Sequence, residues 1–431
     1  MRFADTRLTT RCIWRWFLAL ACVIATARAP QGLAAEWLYT VRPGDTLWDV
    51  SEAYLLETDY WRRLQALNRV ADPQNLVPGS RLRVPVAWMR SKPAPARITA
   101  VEGEAAVQSA DGGAPTPAVP DMLLRSGAEL TTTADSSVMI AFADGSTLRV
   151  GAGSHIVFDI LSVAGGTAFV DSRLRLLKGS TAMRARSRRA GGSRTEIRTP
   201  AALSAVRGTD FRVGVLEANE AMRTEVLSGR VEVSARAKTV AVTAGFGTVV
   251  DVGAPPRPPR PLLPAPELTD VPAVLERGPV RIRVSAVNGA AAYRLEIARD
   301  AAFAQVVAER TAATPSITGP DLADGSYVVR VRAIDALGQE GFDATRAFVL
   351  NARPEPPFLI EPHEGGVVPD GLPQFRWSEP DEAAAYRFQL AAGEDFSAPL
   401  AAVDRLSEAR FALTPALPPG AYRWRVATID Q

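Results

Sequence analysis

A chain of 431 residues is too long for one ordinary domain, and two to four are expected. Apolar residues make up 47%, ample for packed cores, which excludes global disorder. The formal charge of +2 belongs to the N-terminus: residues 1–35 hold five Arg and one acid. The remainder carries 44 basic and 46 acidic side chains, a net of −2, so nothing in the balance argues for nucleic-acid binding.

The first 35 residues read as a signal peptide. Arg2, Arg7, Arg11 and Arg15 form a basic start, and Trp16 to Ala27 is an apolar run too short to span a bilayer as a helix. Leu33-Ala34-Ala35 offers the cleavage site; cutting after Ala29 would leave Pro30 next, and an uncleaved anchor is the other alternative. The expectation is export across an inner membrane to the periplasm or cell envelope. Both cysteines, Cys12 and Cys22, lie in this segment, so the exported chain has no disulfide, thiolate nucleophile or cysteine metal site. Lipidation of Cys22 is the weaker reading, because Ala19-Leu20-Ala21-Cys22 lacks the usual Leu three positions earlier. Membrane contact is therefore expected only through the signal or such an anchor.

Residues 38–85 contain the pattern of a strand, two short helices and a second strand. Thr46-Leu47-Trp48-Asp49 has capping-box spacing. The helix after it should bury Leu47, Val50 and Tyr54. Asp59 is the expected cap of the next helix, where Trp61, Leu64 and Leu67 recur every three residues. Leu82 and Val84 alternate with Arg81 and Arg83 as in a half-buried strand.

This stretch resembles a LysM domain, a βααβ module that grips N-acetylglucosamine polymers such as peptidoglycan; the module is expected to occupy residues 36–88. The resemblance implies that two loops line a glycan groove. One contains Gly44, Asp45, Thr46 and Leu47, the other Asn75, Leu76, Val77, Pro78 and Gly79. An N-acetyl group needs backbone partners for its amide and a small apolar wall, which Leu76 and Val77 would supply. Gly44 lets backbone approach closely, and helix N-terminal amides after Asp45 are available donors. The bland alternative is that these Gly and Pro residues only shape turns. Trp48 and Trp61 are read as core. Val77 departs from the Ile frequent in the family.

A Pro/Ala linker is expected over 89–96 and an all-β domain over 97–253. Val138 to Val150 reads as two strands around an Asp144-Gly145 turn. Further alternations fall at Thr195–Ile197, Phe211–Val215, Thr224–Val226, Arg230–Val233 and Thr239–Val242. The run from Thr195 through Thr199, Pro200, Arg207, Gly208 and Thr209 to Val213 resembles the core motif of FecR-type extracytoplasmic domains. Phe142-Ala-Asp-Gly-Ser, Leu177-Lys-Gly-Ser and Leu227-Ser-Gly-Arg-Val-Glu-Val233 fit the same pattern. The family's regulators place a sigma-binding segment and membrane helix before this domain; here a signal and the LysM-like module stand there, so the fold carries over better than the role. Arg207 could bind an anion bidentately, but a bulge at Gly208 with Thr209 satisfying backbone is the preferred reading. The basic stretch 173–194 is read as a solvated loop, the alternative being contact with phosphates or glycan carboxylates.

Residues 254–266 form a proline-rich spacer. Beyond it lies an internal repeat. Ala291-Ala-Tyr-Arg-Leu-Glu-Ile297 answers Ala384-Ala-Tyr-Arg-Phe-Gln-Leu390, and Gly325-Ser-Tyr-Val-Val-Arg-Val331 answers Gly420-Ala-Tyr-Arg-Trp-Arg-Val426. Two β-sandwiches resembling fibronectin type III or immunoglobulin-like modules are expected at 267–353 and 354–431. The second is incomplete, since nothing answers the ALGQEGFDATRAFVL that follows Asp335; either the chain is a fragment or the strand comes from elsewhere.

The chain is thus expected to be multidomain and mainly β. Only His155 and His363 occur, with no phosphate loop or dinucleotide fingerprint, so no enzyme, cofactor or metal is expected. A catalytic part beyond Gln431 is the least favoured alternative. The leading expectation is a non-catalytic anchor or scaffold of a bacterial envelope that binds peptidoglycan, with an envelope protein as a second partner. The rival is a sensor in which the LysM-like module only positions a FecR-type receiver.

Overall fold

The computed structural model describes residues 36–165, 169–185, 193–206, 209–380 and 383–430. The signal and both cysteines lie outside these residues. The described residues are mainly β, with two short α-helices near their start.

The first module is β1 (Glu36–Thr40), α1 (Leu47–Tyr54), α2 (Tyr60–Asn68) and β2 (Arg81–Pro85). The two strands pair antiparallel, Glu36 opposite Pro85 and Thr40 opposite Arg81. Alternation puts Tyr39, Val41, Leu82 and Val84 on the helices, where they pack with Leu47, Val50 and Leu64. Asp59 does not cap α2: it is helical itself, and its carboxylate takes Arg62 Nη1 at 2.9 Å instead.

The small core continues into the next domain, because Ala164 and Phe169 belong to it. The expected linker is no free tether. Ser91–Pro93 is a strand paired with Ser162–Ala164, and Ala94 donates its N–H to Leu161 O at 3.0 Å. An extended Pro/Ala segment has the backbone shape of a strand, and a neighbouring open edge is enough to recruit it.

The middle domain is all β. Its strands, from Ser91–Pro93 to Arg260–Pro261, close on themselves around a core including Ile98, Leu130, Ile140, Phe158, Leu176, Phe211, Val226 and Val233. The Asp144-Gly145 hairpin forms as expected, with Gly145 at φ +82° and Asp144 accepting from Ser146 N at 2.9 Å. The basic stretch is not a loop through Arg184. Val170–Arg184 is one 15-residue strand. Its first half pairs with His155–Ala164 and its second with Thr147–Val150 and Asp210–Val215. Gly179 sits at the transition with φ +86°, where any side chain would collide with Ser154. The basic side chains along the strand meet acids: Arg173 meets Asp171, Arg175 meets Asp159, and Lys178 meets Glu217. The rest of the run, 186–192, lies outside the described residues.

The proline-rich segment is docked rather than extended into solvent. Arg260–Pro261 pairs with Phe246–Gly247, and Leu262 is buried with its N–H on Gly245 O. The first sandwich then sets the sheet Val274–Leu275, Ala344–Leu350, Gly325–Asp335, Ala290–Ala298, Val306–Ala312 against the pair Arg281–Arg283 and Ser316–Thr318. The second sets Ala401–Leu406, Ala385–Ala391, Arg423–Ile429 against Leu359–Glu361, Gln374–Trp377, Arg410–Ala412. The repeat holds in register as well as sequence: Tyr293 lies opposite Ala333, and Tyr386 opposite Thr428. Among the described residues Arg423–Ile429 is paired on one side, by Ala385–Ala391.

The first sandwich meets the middle domain through a buried ionic cluster. Glu296 is met by Arg149 at 2.6 Å and by Arg330 and Arg332. Glu340 takes Arg223 at 2.6 Å, Arg294 at 3.2 Å, Arg212 at 3.5 Å and also Arg332. Burial pushes both carboxyls up, but the surrounding guanidiniums outweigh it and hold them well below the usual carboxylate range. Burial pulls Arg330 down to about 10. Such pairs repay desolvation only when nearly every partner is present.

Candidate functional site

The two loops singled out in the sequence are brought side by side. Leu47, the first residue of α1, donates its N–H to Pro73 O at 2.8 Å, tying the start of the helix to the second loop. The capping box forms: Thr46 Oγ1 accepts from Asp49 N, and Asp49 Oδ2 accepts from Thr46 N, both at 3.1 Å. Asp45 is turned inward, accepting from Tyr39 Oη and from Arg42 N, the latter at 2.7 Å. Burial, reinforced by that carboxylate, raises the Tyr39 phenol above its ordinary range.

In the second loop Asp72 accepts from Gln74 N at 2.9 Å, and Ser80 donates to Val77 O through both N and Oγ. Val41 N donates to Ser80 O and Gly79 N to Val41 O, each at 2.9 Å, so the second loop is also fastened to the end of β1. Gly44 and Gly79 adopt φ of +87° and +83°, and nothing lies within 4 Å of where a Cβ would stand. Both therefore let a ligand approach the backbone closely, although the Gly79 N–H is already bonded to Val41 O.

The site residues fall into two groups. Gly44, Asn75, Val77, Pro78 and Gly79 are exposed, with Asp45 and Thr46 half-buried. Leu47 and Leu76 are core, at 0% and 6% exposure, which leaves only their backbone near the surface of the loops. Of the two residues expected as an apolar wall, only Val77 has an exposed side chain, at 71%. Trp48 is not core: it is 51% exposed, whereas Trp61 is half-buried with Arg62 over its ring. Trp48 follows Leu47 on a helix that buries one stripe only, and Leu47, Val50 and Ser51 occupy it. The pairing of Leu47 with Pro73 was not legible in the sequence, because a main-chain contact leaves no residue-type signal.

In the middle domain Thr199 Oγ1 accepts from Ala201 N at 3.3 Å and Ala202 N at 3.2 Å, closing the turn that contains Pro200. Thr209 Oγ1 donates to Arg230 O at 3.1 Å. Arg207 and Gly208 lie outside the described residues. His155 Nε2 lies 2.8 Å from Glu129 Oε2 on a neighbouring strand, and His363 is exposed. Among the described residues no group of His, Cys, Asp and Glu is placed to hold a metal, and no helix is long and apolar enough to cross a membrane.

The chain thus sets a small βααβ module with two neighbouring loops before a closed all-β domain. Comparison with known families names them: residues 39–85 match the LysM domain, and residues 128–232 match the FecR protein family. The chain therefore carries a LysM domain and a FecR domain. LysM domains bind peptidoglycan and other N-acetylglucosamine glycans. No curated protein matches the chain.

Among solved structures, a putative anti-sigma factor from Parabacteroides distasonis ATCC 8503 is 16% identical, over 31% of this chain and 59% of that one, with a TM-score of 0.26. The tetra-tandem repeat in the extending region of a large adhesion protein is 13% identical over 79% and 92%, with a TM-score of 0.16. Dimeric latent PorU from Porphyromonas gingivalis is 12% identical over 85% and 34%, with a TM-score of 0.14. The chain thus spans about three-fifths of the anti-sigma factor and a third of PorU.

Proposed function

We propose that this protein is a non-catalytic, peptidoglycan-binding anchor of the bacterial envelope, holding glycan in the groove between the loops at Gly44–Leu47 and Asn75–Gly79. One observation carries this reading: the Leu47–Pro73 bond holds the two loops together, and the space where a Cβ of Gly44 or Gly79 would stand is empty. The N–H groups of Asp45, Thr46, Leu47 and Gly79 are bonded within the chain, so the N-acetyl amide is met by other backbone groups of the two loops, and its methyl by the exposed Val77. A single small groove binds weakly, so retention at the wall gains from several copies acting together. The β-domains then act as a scaffold displayed from the wall, in the periplasm or cell envelope.

The test is co-sedimentation of the full chain with purified peptidoglycan. Micromolar protein is expected to sediment with the sacculi. Val77→Asp, a change at an exposed position, is expected to weaken retention about tenfold by placing a charge against the methyl. No retention of the unaltered protein sinks the reading, and retention unaffected by Val77→Asp moves the site elsewhere.

The FecR match favours a second reading, an extracytoplasmic sensor or regulator that the LysM domain only positions. A protein complex that survives Val77→Asp, with peptidoglycan binding lost, distinguishes it from the anchor.

A further inference from the structure

We infer that Arg42 and Arg81 make this groove selective for anionic glycan, reading the carboxylates that peptidoglycan carries and a neutral N-acetylglucosamine polymer lacks. The inference rests on the glycan-binding reading above and specifies its ligand class.

The two arginines bracket the groove. Arg42 stands immediately before the first loop, and Arg81 immediately after Ser80, which closes the second. Arg81 is opposite Thr40 in the β1–β2 ladder, and the ladder continues one step further through Val41 and Ser80. Alternation buries Tyr39, Val41 and Leu82 and turns Thr40, Arg42 and Arg81 to the outer face. Both guanidiniums thus stand exposed at the end of the sheet from which both loops emerge.

Arg62 is paired with Asp59 and Arg83 with Glu36, each within 3 Å. Among the described residues neither Arg42 nor Arg81 has a side-chain ion pair. Their place beside both loops sets them apart, since Arg63 in α2 and Arg69 at its C-terminal end have no side-chain ion pair among the described residues either. The nearby carboxylates are already engaged: Asp45 by Tyr39 and Arg42 N, Asp49 by Thr46, and Asp72 by Gln74 N. Each of these acids keeps its charge but lends an oxygen to a bond within the loops, and none of them pairs with either guanidinium. The guanidinium is a planar fork matched to a carboxylate. Along a peptidoglycan strand, stem-peptide carboxylates, and lactyl carboxylates wherever the stem peptide has been removed, recur beside N-acetyl groups, so a groove that seats the N-acetyl group presents its neighbours to these side chains.

The experiment is isothermal titration of the full chain with two probes: an N-acetylglucosamine tetramer, and a peptidoglycan tetrasaccharide with free lactyl carboxylates. The peptidoglycan fragment is expected to bind about fivefold more tightly at low salt, the preference fading at about 0.5 M salt. Arg42→Ala with Arg81→Ala is expected to abolish the preference while leaving the neutral tetramer within about twofold. Equal binding of both probes by the unaltered protein overturns the selectivity but leaves the groove standing, as does equal weakening of both probes in the double variant. Binding of neither probe overturns the groove and the selectivity together.

Discussion

The two sandwich copies share a register and differ in what lies against them. Arg294 and Arg330 of the first copy correspond to Arg387 and Arg425 of the second, on the same two central strands. In the first copy these arginines join the buried cluster around Glu296 and Glu340, against Arg149, Arg212 and Arg223 of the FecR domain. In the second, Arg387 meets Asp404 and Arg425 meets Gln389 at the exposed surface. Where the first has Glu296 and Arg332, the second has Gln389 and Ala427. The same sheet face serves in one copy as a domain interface and in the other as a solvated surface. A charged side chain on a strand therefore reports little until its neighbour is known.

The largest effect should come from breaking the cluster. Glu340→Ala strands Arg212, Arg223, Arg294 and Arg332 around an absent charge, and a cost of about 3–5 kcal/mol is expected. Chemical denaturation followed on the first sandwich measures it, and a loss under about 1 kcal/mol would show that the interface is not a structural joint. The pH response follows from the same groups. The folded carboxyls of Glu296 and Glu340 are depressed, so the unfolded chain takes up their protons first. Their stabilisation is complete above the unfolded value near 4.5 and declines as pH falls below it. Comparing denaturation midpoints at pH 7 and pH 3 for the native chain and Glu340→Gln checks this; the variant should show the shallower acid decline.

Smaller effects sharpen the contrast in the cores. Val331, fully buried, should cost about 2 kcal/mol as Ala, whereas its half-buried counterpart Val426 should cost less than about 1 kcal/mol. Paired melting curves decide, and equal losses would mean that the second copy packs as tightly as the first. Smallest of all, Arg387→Ala should change stability by less than about 1 kcal/mol, since its pair with Asp404 is exposed.

Much of the architecture was legible along the chain because its signals are local. The Asp144-Gly145 turn demands a left-handed glycine and formed a hairpin. Thr46 and Asp49 stand at capping distance and formed a capping box. The Tyr-Arg motifs of the two copies announced strands that took matching registers. Asp59 failed as a cap although its residue type was right, because its own backbone is helical and its carboxylate had Arg62 within reach. Trp48 was read as core on hydrophobicity alone, yet it points away from the one stripe that α1 can bury.

Sequence by itself determined the order of the LysM and FecR domains, the β character of the chain and the repeat, since periodicity, turn chemistry and capping act over a few residues. Tertiary structure alone decided that both proline-rich segments lie on the FecR domain, that a basic run becomes a strand, and that Glu296 and Glu340 are buried among arginines rather than solvated. Those outcomes depend on contacts between residues far apart in the chain, such as Arg149 with Glu296. The free energy of a charge is set by what surrounds it in space, not by its neighbours in sequence.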